Sequence, residues 1–208
     1  MTLRTIYAPF GAFLPEKARG YCVMALLICL VGLLANTVVL AQELTGQPLF
    51  DRIKQGGVVL VMRHAQTVPG TGDPPNFKLS DCTTQRNLSE EGKAQSVRIG
   101  AALREAGITF TAVRSSAWCR CKDTARIGFG DYTVWAQLNS FFDARTNEPL
   151  QTAALVRALQ LLKPNHTEMW VTHQVNITAL TGAVPAMGEI LAVRFDGRRA
   201  QVLGRLSL

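Results

Sequence analysis

Three stretches of this chain run from apolar residues into side chains suited to holding a phosphoryl group. The first is VVLVMRHAQT, residues 58–67, which ends its apolar run at Arg63 and His64. The second is VRSSAWCRCKDTA, where Ser115 and Ser116 lead to Arg120. The third is MWVTHQVNITALTG, where the apolar run stops at His173. A guanidinium is a permanent, forked donor to phosphate oxygens, and a neutral imidazole beside it offers a lone pair. One such junction is a weak signal. Three of them, if the fold brings them together, describe an anion site with a nucleophile in it.

That convergence depends on the elements that carry the residues. VVLV, with three β-branched residues, reads as a strand buried on both faces. Neighbouring side chains of a strand point to opposite faces, so Arg63 and His64 can serve one pocket only where the strand gives way to loop. In open α/β sheets, ligands bind at that carboxyl edge. Residues 110–115 and 168–172 also read as strands, and in a parallel sheet all three junctions fall on the same edge. Between them, Ser89 followed by Glu90 and Glu91 marks a helix entry, with Gly107 as its stop. Trp118 to about Ile127 reads as a helix ended by Gly128. Tyr132–Trp135 reads as a short strand. A helix opens at Pro149 and ends at Lys163-Pro164-Asn165, and Asn176–Gly182 makes another. Two closing strands, 188–195 and 200–207, flank Asp196-Gly197, and an amphipathic piece, Glu43–Gln55, precedes Gly56-Gly57. Strands alternating with helices predict an α/β three-layer sandwich, a mostly parallel sheet with helices on both faces. The long Gly- and Pro-containing stretch 68–87 reads as a loop bordering the pocket.

The chain has 208 residues, a formal net charge of +7, 48% hydrophobic and 18% charged residues, which suits a single globular domain of ordinary size. Its first 41 residues differ. Arg4, Lys17 and Arg19 precede the apolar YCVMALLICLVGLL, and Val39-Leu40-Ala41 offers a small-residue cleavage site. That pattern predicts a secretory signal peptide over 1–41, with an uncleaved anchor as the alternative, and one domain over 42–208. Export to a periplasmic or extracellular compartment follows. The remaining charge of roughly +5, by subtraction of segment 1–41, is dispersed rather than gathered in the stripe a nucleic-acid binder needs. A membrane contact is expected only through the N-terminal segment, if it is uncleaved. Beyond that segment lie Cys82, Cys119 and Cys121. In an oxidising compartment Cys82 pairs with Cys119 or Cys121, because a bridge within Cys119-Arg120-Cys121 would be strained. Oligomeric state has no signal in the sequence.

With these residues in order, the chain resembles the histidine phosphatase superfamily of phosphoglycerate mutases, acid phosphatases and phytases. Arg63-His64-Ala65 stands for the family's Arg-His-Gly or Arg-His-Ala, with Thr67 at its hydroxyl position. RNLSEEGKAQ resembles the following stretch, with Leu88, Gly92 and Gln95 in place. Ser115, Ser116, Arg120 and Thr124-Ala125 stand for the serine pair, second arginine and Thr-Ala, and His173 for the second histidine. The resemblance covers roughly residues 56–183 and implies a phosphoglycerate mutase-like fold. It implies a phosphomonoesterase acting on small-molecule phosphoesters, with His64 as nucleophile. Arg63, Arg120, His173, Thr67 and Ser116 would surround the phosphoryl group, with neither metal nor other cofactor required. Nearby cations would keep His64 neutral.

The chain departs from the pattern at the leaving-group acid. Mutase-like members carry a glutamate after Leu-Asn, where this chain has Ser140 after Leu138-Asn139. Phytase-like members carry an acid after the second histidine, where this chain has Gln174. Asp143 is the best substitute donor and Glu148 a weaker one. The gap motivates an alternative, a phospho-ligand binding protein with weak or no turnover. A metal site from Cys82, Cys119, Cys121 and a histidine is a third reading, although Cys-x-Cys lacks the two-residue gap of structural zinc sites. Arg120 could instead pair with Asp123 on its own helix, and His166 is expected at the surface.

Overall fold

Val58–Arg63 (β1) becomes a central strand because its side chains are apolar in both directions. The computed structural model describes residues 42–70 and 72–208, so the signal-peptide expectation for 1–41 lies outside the described residues. Val58, Leu60 and Met62 enter one core, whereas Val59 and Val61 enter the other, as the two-residue period of a strand requires.

Six strands form one sheet in the order β3-β2-β4-β1-β5-β6. They are β1, β2 (Ala112–Ser115), β3 (Thr133–Val134), β4 (Thr167–Thr172), β5 (Ile190–Phe195) and β6 (Ala200–Leu206). The first four run parallel to one another, and the closing pair runs antiparallel. Their turn is held by Asp196, whose Oδ1 accepts from the amides of Arg198 and Arg199, both at 2.8 Å. Helices α1 (Gly46–Lys54), α2 (Glu90–Glu105) and α3 (Cys119–Phe129) cover one face through Leu49, Ile53, Ile99, Leu103, Cys121 and Ala125. Helices α4 (Glu148–Leu161) and α5 (Gln174–Thr181) cover the other through Leu155, Leu159, Ile177 and Leu180. This is the expected three-layer sandwich. The expected strand at Tyr132–Trp135 shortens to two exposed residues because it lies at the sheet edge, with a partner on one side only.

The parallel register aligns the strand ends. Arg63 pairs with Thr172, and Ser115 with Val171. The next residues continue that edge: the His64 amide donates to the Thr172 carbonyl and the Ser116 amide to the Val171 carbonyl, both at 3.0 Å. Helix α2 starts beside the same edge. Ser89 Oγ accepts from the Gly92 amide at 3.0 Å, satisfying a donor the first turn leaves open. Gly92 must lack a side chain, because a Cβ there would overlap the Gln66 carbonyl in the segment just after His64. Among the described residues, no helix is long and apolar enough to cross a membrane.

Candidate active site

His64 is the first side chain beyond β1, and its ring is fixed from behind. Nδ1 lies 2.8 Å from the carbonyl oxygen of Ala65. A carbonyl only accepts, so Nδ1 carries the proton and Nε2 holds the lone pair. Burial lowers the His64 pKa to about 3, aided by the Arg120, Arg63 and Arg86 cations against the opposing Ala65 hydrogen bond. The ring is therefore neutral at physiological pH, the form that can attack phosphorus.

His173 follows the last residue of β4 and is held in the opposite tautomer. An Arg120 guanidinium nitrogen approaches Nδ1 at 3.5 Å, and a guanidinium only donates. Nε2 thus carries the proton and donates to Ser116 Oγ at 2.9 Å. Ser116 passes its own proton to Asn139 Oδ1 at 3.1 Å, and that oxygen also accepts from the Ala117 amide at 2.7 Å. Burial, then the Arg120 cation, the neighbouring His64 ring and the Arg63 and Arg86 cations, hold His173 well below its ordinary pKa. Cys121 Sγ lies 3.5 Å from the same Nε2, and burial pushes that thiol up to about 12, so it stays protonated.

These residues open on a cavity of about 470 Å³ lined by Arg63, His64, Arg120 and His173. Arg120 projects from the first turn of α3, its guanidinium 4.4 Å from the centre of the Trp118 ring, a cation–π contact. Its Nη1 pairs with Asp73 Oδ1 at 3.0 Å, both side chains being largely buried. The same carboxylate oxygen accepts from the Arg86 amide at 2.9 Å. Arg63 is tied by Nη1 to the Pro185 carbonyl at 2.9 Å. Arg86 and Arg145 supply a third and a fourth guanidinium to the lining. Burial and mutual repulsion lower the pKa of Arg63 and of Arg86. A phosphoryl dianion placed among these groups would relieve that repulsion.

The other expected site residues divide. Asp143 lines the cavity beside Ser140, Phe142 and Gln174. Glu148 does not; it lies on a separate surface groove along α4. Thr67, expected to offer a hydroxyl to phosphate, is buried with that hydroxyl 3.7 Å from Met187 Sδ and lies outside the cavity lining. Ser116, also expected to meet phosphate, stands behind His173 instead, its hydroxyl consumed by the ring and Asn139. Asp123 pairs with Arg126 at 3.2 Å, not with Arg120. His166 is half-buried, and its carbonyl accepts from the Gly57 amide at the opposite end of β1.

Sequence reasoning gave no role to Arg86 or Asp73. Arg86 opens the RNLSEEGKAQ segment, which was one available signal, but Asp73 sits in a loop without periodicity. Cys82 and Cys119 form a disulfide, so of the two expected pairings this one is realised, and Cys121 is left as a buried thiol. The bridge consumes two of the three thiols that the zinc reading required. It also fastens the loop bearing Asp73 and Arg86 to the residue preceding Arg120.

No protein-family profile matches the chain, and neither does any curated protein sequence. Solved structures do. The protein histidine phosphatase SixA complexed with tungstate superposes with a TM-score of 0.51 and 16% identity, over 72% of this chain and 96% of that one. The Thermus thermophilus protein TTHB049 gives 0.51 and 21% identity, over 73% of this chain and 99% of that one. The open reading frame Rv3214 from Mycobacterium tuberculosis gives 0.53 and 15% identity, over 70% and 94%. In strand order, layering and these superpositions, the chain has the phosphoglycerate mutase-like fold of the histidine phosphatases.

Proposed function

We propose that the protein is a phosphomonoesterase that works through a phosphohistidine on His64. The single observation that carries this reading is the tautomer of His64: the Ala65 carbonyl holds the proton on Nδ1, leaving the Nε2 lone pair in a cavity lined by four guanidinium groups. Nε2 attacks phosphorus, the P–O bond to the leaving group breaks, and the alkoxide takes a proton, with Asp143 as the donor in reach of the cavity. Water then attacks the phosphohistidine, phosphate departs and His64 is restored. Arg63, Arg86 and Arg120 compensate the charge that spreads over the phosphoryl oxygens, the main catalytic task in phosphoryl transfer. A structural relative named as a protein histidine phosphatase, solved with a tetrahedral oxyanion, supports the same reading.

Export is part of the proposal. The basic-then-apolar pattern of residues 1–41 and the Cys82–Cys119 bridge both suit an oxidising compartment outside the cytoplasm. A binding protein without turnover is the second reading, favoured by Ser140 and Gln174 in the cavity wall at the positions where the family pattern described above has an acid. Hydrolysis of p-nitrophenyl phosphate decides between them. Turnover that vanishes in His64→Ala, with acid-labile phosphate trapped on the wild-type protein, supports the enzyme. Phosphate binding without turnover in the wild type supports the binder.

A further inference from the structure

Trp118 stands between the cationic cavity and a second hollow that holds none of the phosphoryl-binding residues. The Arg120 guanidinium lies over its ring at 4.4 Å and Phe77 stacks on it at 4.3 Å. Two groups that close cannot share one face of an indole, so the arginine and the phenylalanine occupy opposite faces. On the Phe77 side runs a groove of about 440 Å³ whose walls mix the apolar Phe77, Leu79 and Leu150 with the neutral polar Gln137, Asn147 and Gln151. Leu150 is 78% exposed and Leu79 36% exposed. Trp118 and Ser140 belong to the lining of both hollows, so the groove adjoins the catalytic cavity along that wall. Phe142, 63% exposed, stands at the cavity's side of that shared wall.

We infer that this groove receives the leaving group, and that the preferred substrates are phosphomonoesters of apolar alcohols. The inference rests on the reading of the cavity as a phosphoryl site. The occupant is argued from the junction: an ester bound with its phosphoryl group among the arginines and its alcohol portion directed past Ser140 and Trp118 enters this groove. The exposed leucines Leu79 and Leu150 stand in the groove it meets and gain by being covered, and the polar groups between them are neutral amides and a hydroxyl. The named walls of the groove carry no cation or carboxylate to reward a second charged group on the substrate.

Binding of non-hydrolysable alkylphosphonates, from methyl to hexyl, tests the groove without using turnover. Full burial of a methylene corresponds to a gain of about four-fold in affinity, so a half-covered chain should gain about two-fold per methylene, or roughly 30-fold from methyl to hexyl. Leu150→Asp and Leu79→Asp alter exposed side chains, so the fold should survive. They should remove that gain while leaving methylphosphonate affinity within about two-fold. A flat affinity across the series, absence of phosphonate binding, or a gain that survives both substitutions overturns the inference. Hydrolysis of the matching alkyl phosphates is measured in parallel. A chain-length gain in binding with no hydrolysis of any ester would sink the enzymatic reading while leaving the groove assigned.

Discussion

The imidazoles of His64 and His173 meet edge to face, their centres 5.6 Å apart, at the ends of the neighbouring strands β1 and β4. Each is neutral for the same reasons, burial and the shared guanidinium groups, and each has its proton on the nitrogen bonded to a protein oxygen. The pair is therefore two neutral rings, each with one unprotonated nitrogen, and not two cations; in the proposed reaction His64 is the nucleophile.

Because His64 is already neutral far below pH 6.5, activity should not rise with an ordinary histidine titration near that pH. The acid limb of kcat/KM on p-nitrophenyl phosphate should follow the substrate's own second ionisation, with no separate enzyme group between pH 5 and 7. His64→Ala should lower kcat by ~10⁴-fold or more, the scale of losing a nucleophile. A limb that persists with a substrate ionising outside this range would contradict the neutral assignment.

Both buried histidines make folding pH-dependent. Their folded pKa values lie below the unfolded value of 6.5, so in acid the unfolded chain binds more protons and stability falls as pH drops. For His64 the loss runs from about pH 6.5 down to about 3, at about 1.4 kcal/mol per pH unit. Urea unfolding of wild type and His173→Gln at pH 7 and 4.5 isolates the second contribution. The variant should lose less stability on acidification, and equal losses would refute it.

The Ser116–Asn139 relay is expected to fix the His173 tautomer. Ser116→Ala removes the acceptor for Nε2–H and should reduce kcat/KM by about ten-fold, with little change in melting temperature, in the range of a lost hydrogen bond to a positioned group. Asn139→Asp keeps the accepting oxygen but adds a negative charge behind the relay. That charge favours protonated His173, so an acid-side loss of activity should move to higher pH. An unshifted profile in Asn139→Asp would separate the relay from catalysis.

Reduction of the Cys82–Cys119 bridge should loosen the wall that carries Asp73 and Arg86. The closed loop spans 37 residues, for which the chain-entropy relation gives a stability loss of about 4 kcal/mol. Dithiothreitol, or the Cys82→Ser/Cys119→Ser variant, should lower the melting temperature and raise KM more than it lowers kcat. Buried Cys121 should not contribute to the effect, so Cys121→Ala in the oxidised protein serves as the control.

Much of the architecture could be read from local pattern. The two-way apolar run Val58–Met62, the Ser89 cap and the helical spacing after Pro149 are each properties of a few consecutive residues, and each reappears in the fold. The strand-end residues were legible for the same reason, because a parallel sheet sends all such ends to one edge. Thr67 and Ser116 show where this logic stops. Being near that edge does not decide which way a side chain turns, and both hydroxyls turn to protein partners, Met187 and His173.

By itself the sequence determined the alternation of strands and helices, and with it the edge where Arg63, His64, Arg120 and His173 gather. Tertiary structure alone decided the two tautomers, the choice of Cys119 over Cys121 as the partner of Cys82, and the entry of Asp73 and Arg86 into the site. The physical reason is range. Backbone periodicity is set by neighbours a few residues apart, whereas a loop's conformation is set by the distant groups that bond to it, here the Arg120 guanidinium and the α3 cysteine.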